Sequence, residues 1–507
     1  MPVDTVIRNA RIVTPEGVFS GGVAINDGRI VSISGNANLP SAGRVIDAGE
    51  KFLLPGVVDP HVQLGKRDFA TDVRTESTSA TIGGVTTIGA MVKSTRMGSD
   101  TGHASGPAIP YGDAFPSAEK AVSENALADI YFTFTIMSDQ HATEIPKYAR
   151  EFGVTSFKFY VGFMGGDRAT RRAGMGNFAS KLGFPEGFDN GMVYLGFDRI
   201  AKMGPPCLAH FHAEDLGIVR VFYETMYREG RGGLREWAAR SPGFAEAIQI
   251  RTYSYLSKIT GCPICVVHLS SYEGLEEVVR AKDEGVKIVA ETTPQYLWIT
   301  VDDDPPGVWG KVTPPIRDQE SAAKLLQGLL TGKISYMGTD HVPLSREQLV
   351  GGDLMPPDDS EVIKGLGLIG MPTLLPSMLS EGVNEGRMSL SKVVEVCCRN
   401  PAYASGLYPK KGAIMVGSDA DLVLVDMKLK LKVTPEILHS PYASSFTDWE
   451  LTGWPVLTML RGNEVMEDGE IVGKPGQGAY LRRKLGAQTY PIQPAGAAWT
   501  APWAPGS

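Results

Sequence analysis

From about Leu54 to Leu407, short strand-like runs alternate with helical stretches, and this alternation constrains the fold more than any other feature of the 507-residue chain. The helical stretches include Ser117 to Leu127, Phe244 to Ile259 and Ser389 to Cys398. The last begins at a Ser389 N-cap and stops at Asn400-Pro401. Alternation sustained over about 350 residues argues for parallel strands joined by crossovers, hence a barrel or a doubly wound sheet. Both ends of the chain have a different texture. Val3 to Asn9, Arg11 to Val13, Gly22 to Ile25 and Arg29 to Ile33 read as short strands separated by turns such as Asn26-Asp27-Gly28. Similar runs return in Asp421 to Val425, Thr458 to Arg461 and Glu464 to Val465. The expected organisation is therefore a barrel over 54–407 and a small discontinuous β-sandwich domain from 1–53 and 408–480. An extended tail over 481–507 completes it, rich in Pro and Ala towards its end and carrying Trp499 and Trp503.

Composition removes several classes of function. Hydrophobic residues make up 43% and charged residues 21%, as in globular proteins. No apolar run approaches the roughly 18 residues that span a bilayer. Net charge is -8 without a large Lys/Arg cluster, which argues against a nucleic-acid partner. Five cysteines do not make a disulfide framework in a chain of this length. With an N-terminus that enters a strand pattern at once, they point to a reducing, cytoplasmic compartment. Cys262-Pro263-Ile264-Cys265 leads straight into a strand with no second Cys pair nearby, so its thiols read as small apolar strand residues.

The chain has eight histidines, and several stand at strand ends. Leu53 to Asp59 runs into His61-Val62-Gln63. Lys158 lies in the middle of the strand Ser156 to Tyr160, and His210 and His212 alternate onto one face. Ile264 to Val267 is followed by His268, and Ile334 to Thr339 delivers Asp340. In a (β/α)8 barrel such positions converge on one mouth, where imidazoles, a carboxylate and a lysine together form a metal-site constellation. A buried lysine there needs a partner or a change of charge. His210, a layer below His212, reads as a packing residue, and His103, His141 and His439 receive no role. Pattern alone leaves a metal site and ordinary core histidines as open alternatives.

At these residues the chain resembles the cyclic amidohydrolases, namely hydantoinases, dihydropyrimidinases and allantoinases, along nearly its whole length. Leu54-Pro55-Gly56-Val57-Val58-Asp59-Pro60-His61 looks like their first barrel strand. Glu291-Thr292-Thr293-Pro294, Thr313-Pro314-Pro315-Ile316-Arg317, Gly338-Thr339-Asp340-His341 and Gly417-Ser418-Asp419-Ala420-Asp421 follow in family order. The resemblance implies a (β/α)8 barrel with an appended β-sandwich, a homotetramer, and hydrolysis of a cyclic amide by one or two divalent metals. Zinc is the expected ion, with manganese or cobalt as alternatives. It further implies a carboxylated Lys158 bridging the metals, with His212 and His268 on one and His61 and Asp340 on the other. Asp340 would carry the proton from an attacking hydroxide to the leaving nitrogen, and backbone at Thr313 would orient the substrate.

Three departures from the family pattern stand out. Gln63 replaces the second imidazole of the first strand and is a weaker zinc ligand, or a substrate contact. Phe163 stands where hydantoinases carry an oxyanion-stabilising tyrosine, which leaves Tyr160 as the nearest phenol. The stretch between Lys158 and His212 is long and bears Arg168, Arg171 and Arg172, consistent with a solvated face or with a grip on an acidic substrate. A non-catalytic relative that uses the barrel for assembly is the alternative to an enzyme. Retention of a costly buried lysine favours the enzyme.

Overall fold

The computed structural model describes residues 2–65, 68–94, 97, 109–161, 189–231, 234–303, 310, 312–343, 369–442 and 444–489. Nine strands from the two ends of the chain form one sheet. They are β1 (Val3–Thr14), β2 (Gly17–Asn26), β3 (Arg29–Ser34), β4 (Ala42–Asp47) and β5 (Phe52–Pro55), followed much later in the chain by four more. Eight parallel strands lie between: β6 (Val57–Gln63), β7 (Val85–Val92), β8 (Asp129–Thr135), β9 (Ser156–Phe159), β10 (Leu208–Phe211), β11 (Ile264–Val266), β12 (Ile288–Thr292) and β13 (Tyr336–Met337). The sheet of the ends is completed by β14 (Leu422–Lys432), β15 (Glu450–Leu460), β16 (Asn463–Glu467) and β17 (Glu470–Ile471), and β5 pairs with both β1 and β14.

The parallel strands pair in sequence order from β6 to β13. The ring is brought round by a bridge between Val62 and His341, with Gln63 N donating to His341 O at 2.8 Å. Strands β7 and β8 are buried at every position, as strands covered on both faces must be. Outer helices begin at side-chain caps: Asp68 accepts from Thr71 N, Ser271 from Gly274 N and Asp318 from Ser321 N. A separate core of the end sheet draws on both halves, with Ile7, Ile12, Val23 and Leu53 packed among Leu422, Leu424 and Met459. Among the described residues no helix is long and apolar enough to cross a membrane.

Several elements differ from the sequence reading; the expected Thr458–Arg461 run, for one, is the longer strand Glu450–Leu460. β1 is one strand where two short ones were expected, because a register shift between Ile7 and Ala10, with Asn9 at φ 54°, absorbs the break as a bulge. The helix expected from Ser117 starts at Tyr111, whose phenol donates to the carbonyls of Val92 and Thr135. The helical path from Ser389 continues past Asn400-Pro401 to Ala404, since Pro401 sits in a first turn where its missing N–H is not needed. The expected Phe244–Ile259 helix is found as Gly243–Thr260.

Candidate metal centre

Strand ends on one mouth of the barrel carry the chemistry. Lys158 on β9 is in register with His210 on β10, and His212 N donates to Phe159 O, so the lysine chain rises towards the layer of His212. His212 Nδ1 and His268 Nε2 face each other at 2.9 Å. His61 Nε2 lies 3.1 Å from Asp340 Oδ1, and the His61 and His268 ring centroids are 5.4 Å apart. Just past their strands, His268 and Asp340 adopt left-handed backbone, with φ of 42° and 50°. Such a conformation is uncommon for residues with a Cβ and turns both side chains at the handover from strand to loop.

The site is buried and rich in ionisable groups. Lys158 is fully buried, its Nζ has no hydrogen-bond partner among the described residues, and burial pulls its pKa down to about 8. Burial pushes His61 downward too, but the carboxylates of Glu291 and Asp340 outweigh it and raise the imidazole to about 9. Burial would raise Asp340, yet the charges of His61 and Lys158 and the hydrogen bonds from His61 and Gln63 hold its carboxyl below the ordinary value. Burial drives His268 well down, which favours its neutral imidazole.

Gln63 joins the site differently from an imidazole, by donating its amide Nε2 to Asp340 Oδ1 at 2.9 Å. The Tyr160 ring centroid lies 5.0 Å from Lys158 Nζ, 5.3 Å from Lys93 Nζ and 6.3 Å from the His212 ring. Thr313 Oγ1 donates to Glu214 Oε2 at 2.7 Å. His210 is buried inside the barrel with both ring nitrogens unpartnered. His141 bonds the Ile109 carbonyl and accepts from Met137 N, and His439 bonds the Gly469 carbonyl, all backbone contacts. Phe163, Arg168, Arg171, Arg172 and His103 lie outside the described residues.

Two carboxylates were missed. Glu291 Oε1 takes His61 Nδ1 at 2.6 Å and the backbone N–H of His268 at 3.2 Å. Glu214 Oε2 takes His212 Nε2 at 3.0 Å. Each holds the outer nitrogen of a histidine and leaves the inner one for a cation, the arrangement that orients metal-ligating imidazoles. The signal was present in sequence: Glu214 follows His212 by two, and Glu291 ends a buried strand where a carboxylate needs a cationic or N–H partner.

Residues 317–465 match the Amidohydrolase family and residues 6–50 the composite domain of allantoinase. An L-hydantoinase of Paenarthrobacter aurescens is 32% identical over 494 residues, covering 95% of this chain and 98% of that protein. The chain belongs to the hydantoinase family of amidohydrolases. An allantoinase of Desulfitobacterium hafniense is 27% identical, over 94% of this chain and 98% of its own. The crystal structure of an L-hydantoinase from Arthrobacter aurescens superposes with a TM-score of 0.81 at 31% identity, over 94% of this chain and 99% of that one. The fold is thus the hydantoinase barrel with its appended sheet domain.

Amidohydrolases of this family generally depend on metal, and the donor set accommodates a divalent cation. Two imidazole nitrogens face each other, a buried amine is unpartnered, and two carboxylates call for positive charge at His61. That charge is supplied equally well by a proton or by a metal ion on Nε2. A second cluster, Asp129 with Asp419 and Asp421, has carboxylate oxygens within 4.8 Å of one another. The Lys411 ammonium already sits among them, 2.5 to 2.9 Å from each, so this cluster is an ion-pair knot.

Proposed function

We propose that this amidohydrolase opens the C–N bond of a cyclic amide, such as a hydantoin, imide, lactam or ureide, at a divalent metal centre with an atypical first site. His61, Lys158, His212, His268 and Asp340 would hold the metal, with zinc favoured over manganese or cobalt and one or two ions per chain. The observation that carries the reading is their convergence at one buried mouth, in a chain similar to proteins named hydantoinase and allantoinase. A depressed amine at Lys158 is suited to take up CO2 as a carbamate, which removes the cost of a buried cation and adds an anionic ligand.

When bound, divalent metal makes water acidic near neutral pH and polarises a carbonyl. The protein's part is proton traffic and orientation. Asp340, held ionised, accepts the proton of the water that attacks the carbonyl carbon and delivers it to the ring nitrogen as the C–N bond breaks. Thr313 is anchored by Glu214 at the edge of the site and orients the amide. The Tyr160 phenol, beside Lys158, is the candidate donor to the developing oxyanion, and Phe163 shapes the pocket by resemblance only. The reading includes a homo-oligomer, a tetramer by resemblance, supported by the exposed apolar stripe Phe244, Ile248, Tyr255 and Ile259 on one helix. It also includes a cytoplasmic location, supported by five unpaired, buried cysteines.

Lys158→Ala tests this reading. The variant is expected to lose bound metal and ring-opening activity together, with partial rescue of both by added short carboxylic acids. Elemental analysis and turnover of simple hydantoins read the two effects. Full activity in thoroughly chelated wild-type protein would overturn the assignment.

A further inference from the structure

Beside the metal centre, Arg240 follows the short helix Leu234–Ala239 and is pinned to the substrate edge of the site from two sides. Its neighbour Ser241 donates its hydroxyl to Glu214 Oε1, and Trp237 Nε1 donates at 2.8 Å to the carbonyl of Val312, next to Thr313. Arg240 is 2% exposed, about as buried as His212 and His268, and its guanidinium carbon lies 3.4 Å from the centroid of the Trp237 ring. Among the described residues, Nε, Nη1 and Nη2 have no hydrogen-bond partner.

A buried guanidinium with five unmet donors is costly, and arginine cannot escape that cost by losing its proton at ordinary pH. Glu214 stands within electrostatic reach, but its oxygens are taken by Ser241, His212 and Thr313. Arg317, the neighbouring buried guanidinium, bonds the Ser241 carbonyl and Ser270 Oγ. Arg240 is therefore a cation in need of an anion at the edge of the active site. The Trp237 ring holds the guanidinium carbon 3.4 Å from its centroid, and the planar fork of N–H donors suits a two-point contact with a carboxylate.

We propose that Arg240 is a specificity-determining residue that binds a carboxylate carried on the substrate ring. The proposal rests on the cyclic-amide reading, and it narrows the substrate class to acidic cyclic amides.

The test compares hydantoin-5-acetate with its neutral analogue hydantoin-5-acetamide, using metal-loaded wild type, Arg240→Met and Arg240→Lys. Wild type is expected to favour the acid. Arg240→Met should lose about 100-fold in kcat/KM on the acid, mainly through KM, with little change on the amide or in metal content. Arg240→Lys should recover part of the loss, which separates charge from folding. Equilibrium dialysis of both compounds gives a readout that does not need turnover. If the acid binds through Arg240 but neither ring opens, the hydrolase reading fails and this one stands. Equal binding of acid and amide by wild type, or an equal loss of both in Arg240→Met, would overturn the Arg240 assignment.

Discussion

Gln63 and His61 share one oxygen, Oδ1 of Asp340, at 2.9 and 3.1 Å. An imidazole at position 63 would offer a nitrogen lone pair to a metal, whereas the carboxamide holds Asp340 by a hydrogen bond or turns a weak, hard oxygen towards a cation. The change is either loss of a ligand or a tuned pocket, and the departures at Phe163 and in the arginine-bearing stretch after Lys158 favour tuning. Gln63→His is then expected to raise zinc per chain while lowering turnover of the native substrate. In the loss reading the same variant gains both metal and turnover on simple hydantoins. Metal stoichiometry and rates measured side by side decide between them, and no change in either would remove Gln63 from the site.

At the scale of elements, the site depends on what strand ends allow. Each barrel strand brings at most one or two of the candidate ligands to the mouth, and the turn after it sets their aim. The segment after β13 is a tight case beside the candidate ligands. A Cβ on Gly338 would come 2.6 Å from Glu291 Cδ, the carboxylate that holds His61 Nδ1 and the backbone N–H of His268. Gly338→Ala is therefore expected to cost about 1–3 kcal/mol of stability through overpacking. It should also weaken metal retention about 10- to 100-fold by displacing a carboxylate that orients a ligand. Thermal melting and a metal-chelator titration report the two losses separately, and a variant that melts and holds metal like wild type would refute the packing argument.

Across the whole molecule, the two ends of the barrel differ: the candidate site lies at the mouth, and an ion-pair knot anchors the end beneath it. Lys411 joins Asp129 at the start of β8 to Asp419 and Asp421 beside the end sheet, and Arg461 reaches Asp129 as well. Its three carboxylates raise the Lys411 pKa although burial opposes them, so it remains charged. The chain then returns under the barrel, where Leu481 N donates to Ile130 O and Arg483 reaches Ser156 Oγ and the Phe132 carbonyl. Lys411→Met removes the cation from three buried acids and is expected to cost about 3–5 kcal/mol. The melting temperature should fall while metal content of the folded fraction stays unchanged. Loss of metal without loss of stability would show that the two ends are coupled.

Much of this was legible in the residues themselves. Alternating strands and helices implied parallel strands, and His61, His212, His268 and Asp340 stood at strand ends because such positions in a barrel share one mouth. Lys158 was conspicuous because a lysine inside an apolar strand has few physical excuses. Tertiary structure alone decided the partnerships. Local pattern carries no record of which group lies across the barrel, so the bonds of Glu291 to His61, 230 residues away, and of Gln63 to Asp340, 277 residues away, were hidden. The same holds for Arg240, which no motif or spacing in the sequence singles out. Only packing shows it buried against Trp237 without an anion, because burial and the absence of a partner belong to the folded chain.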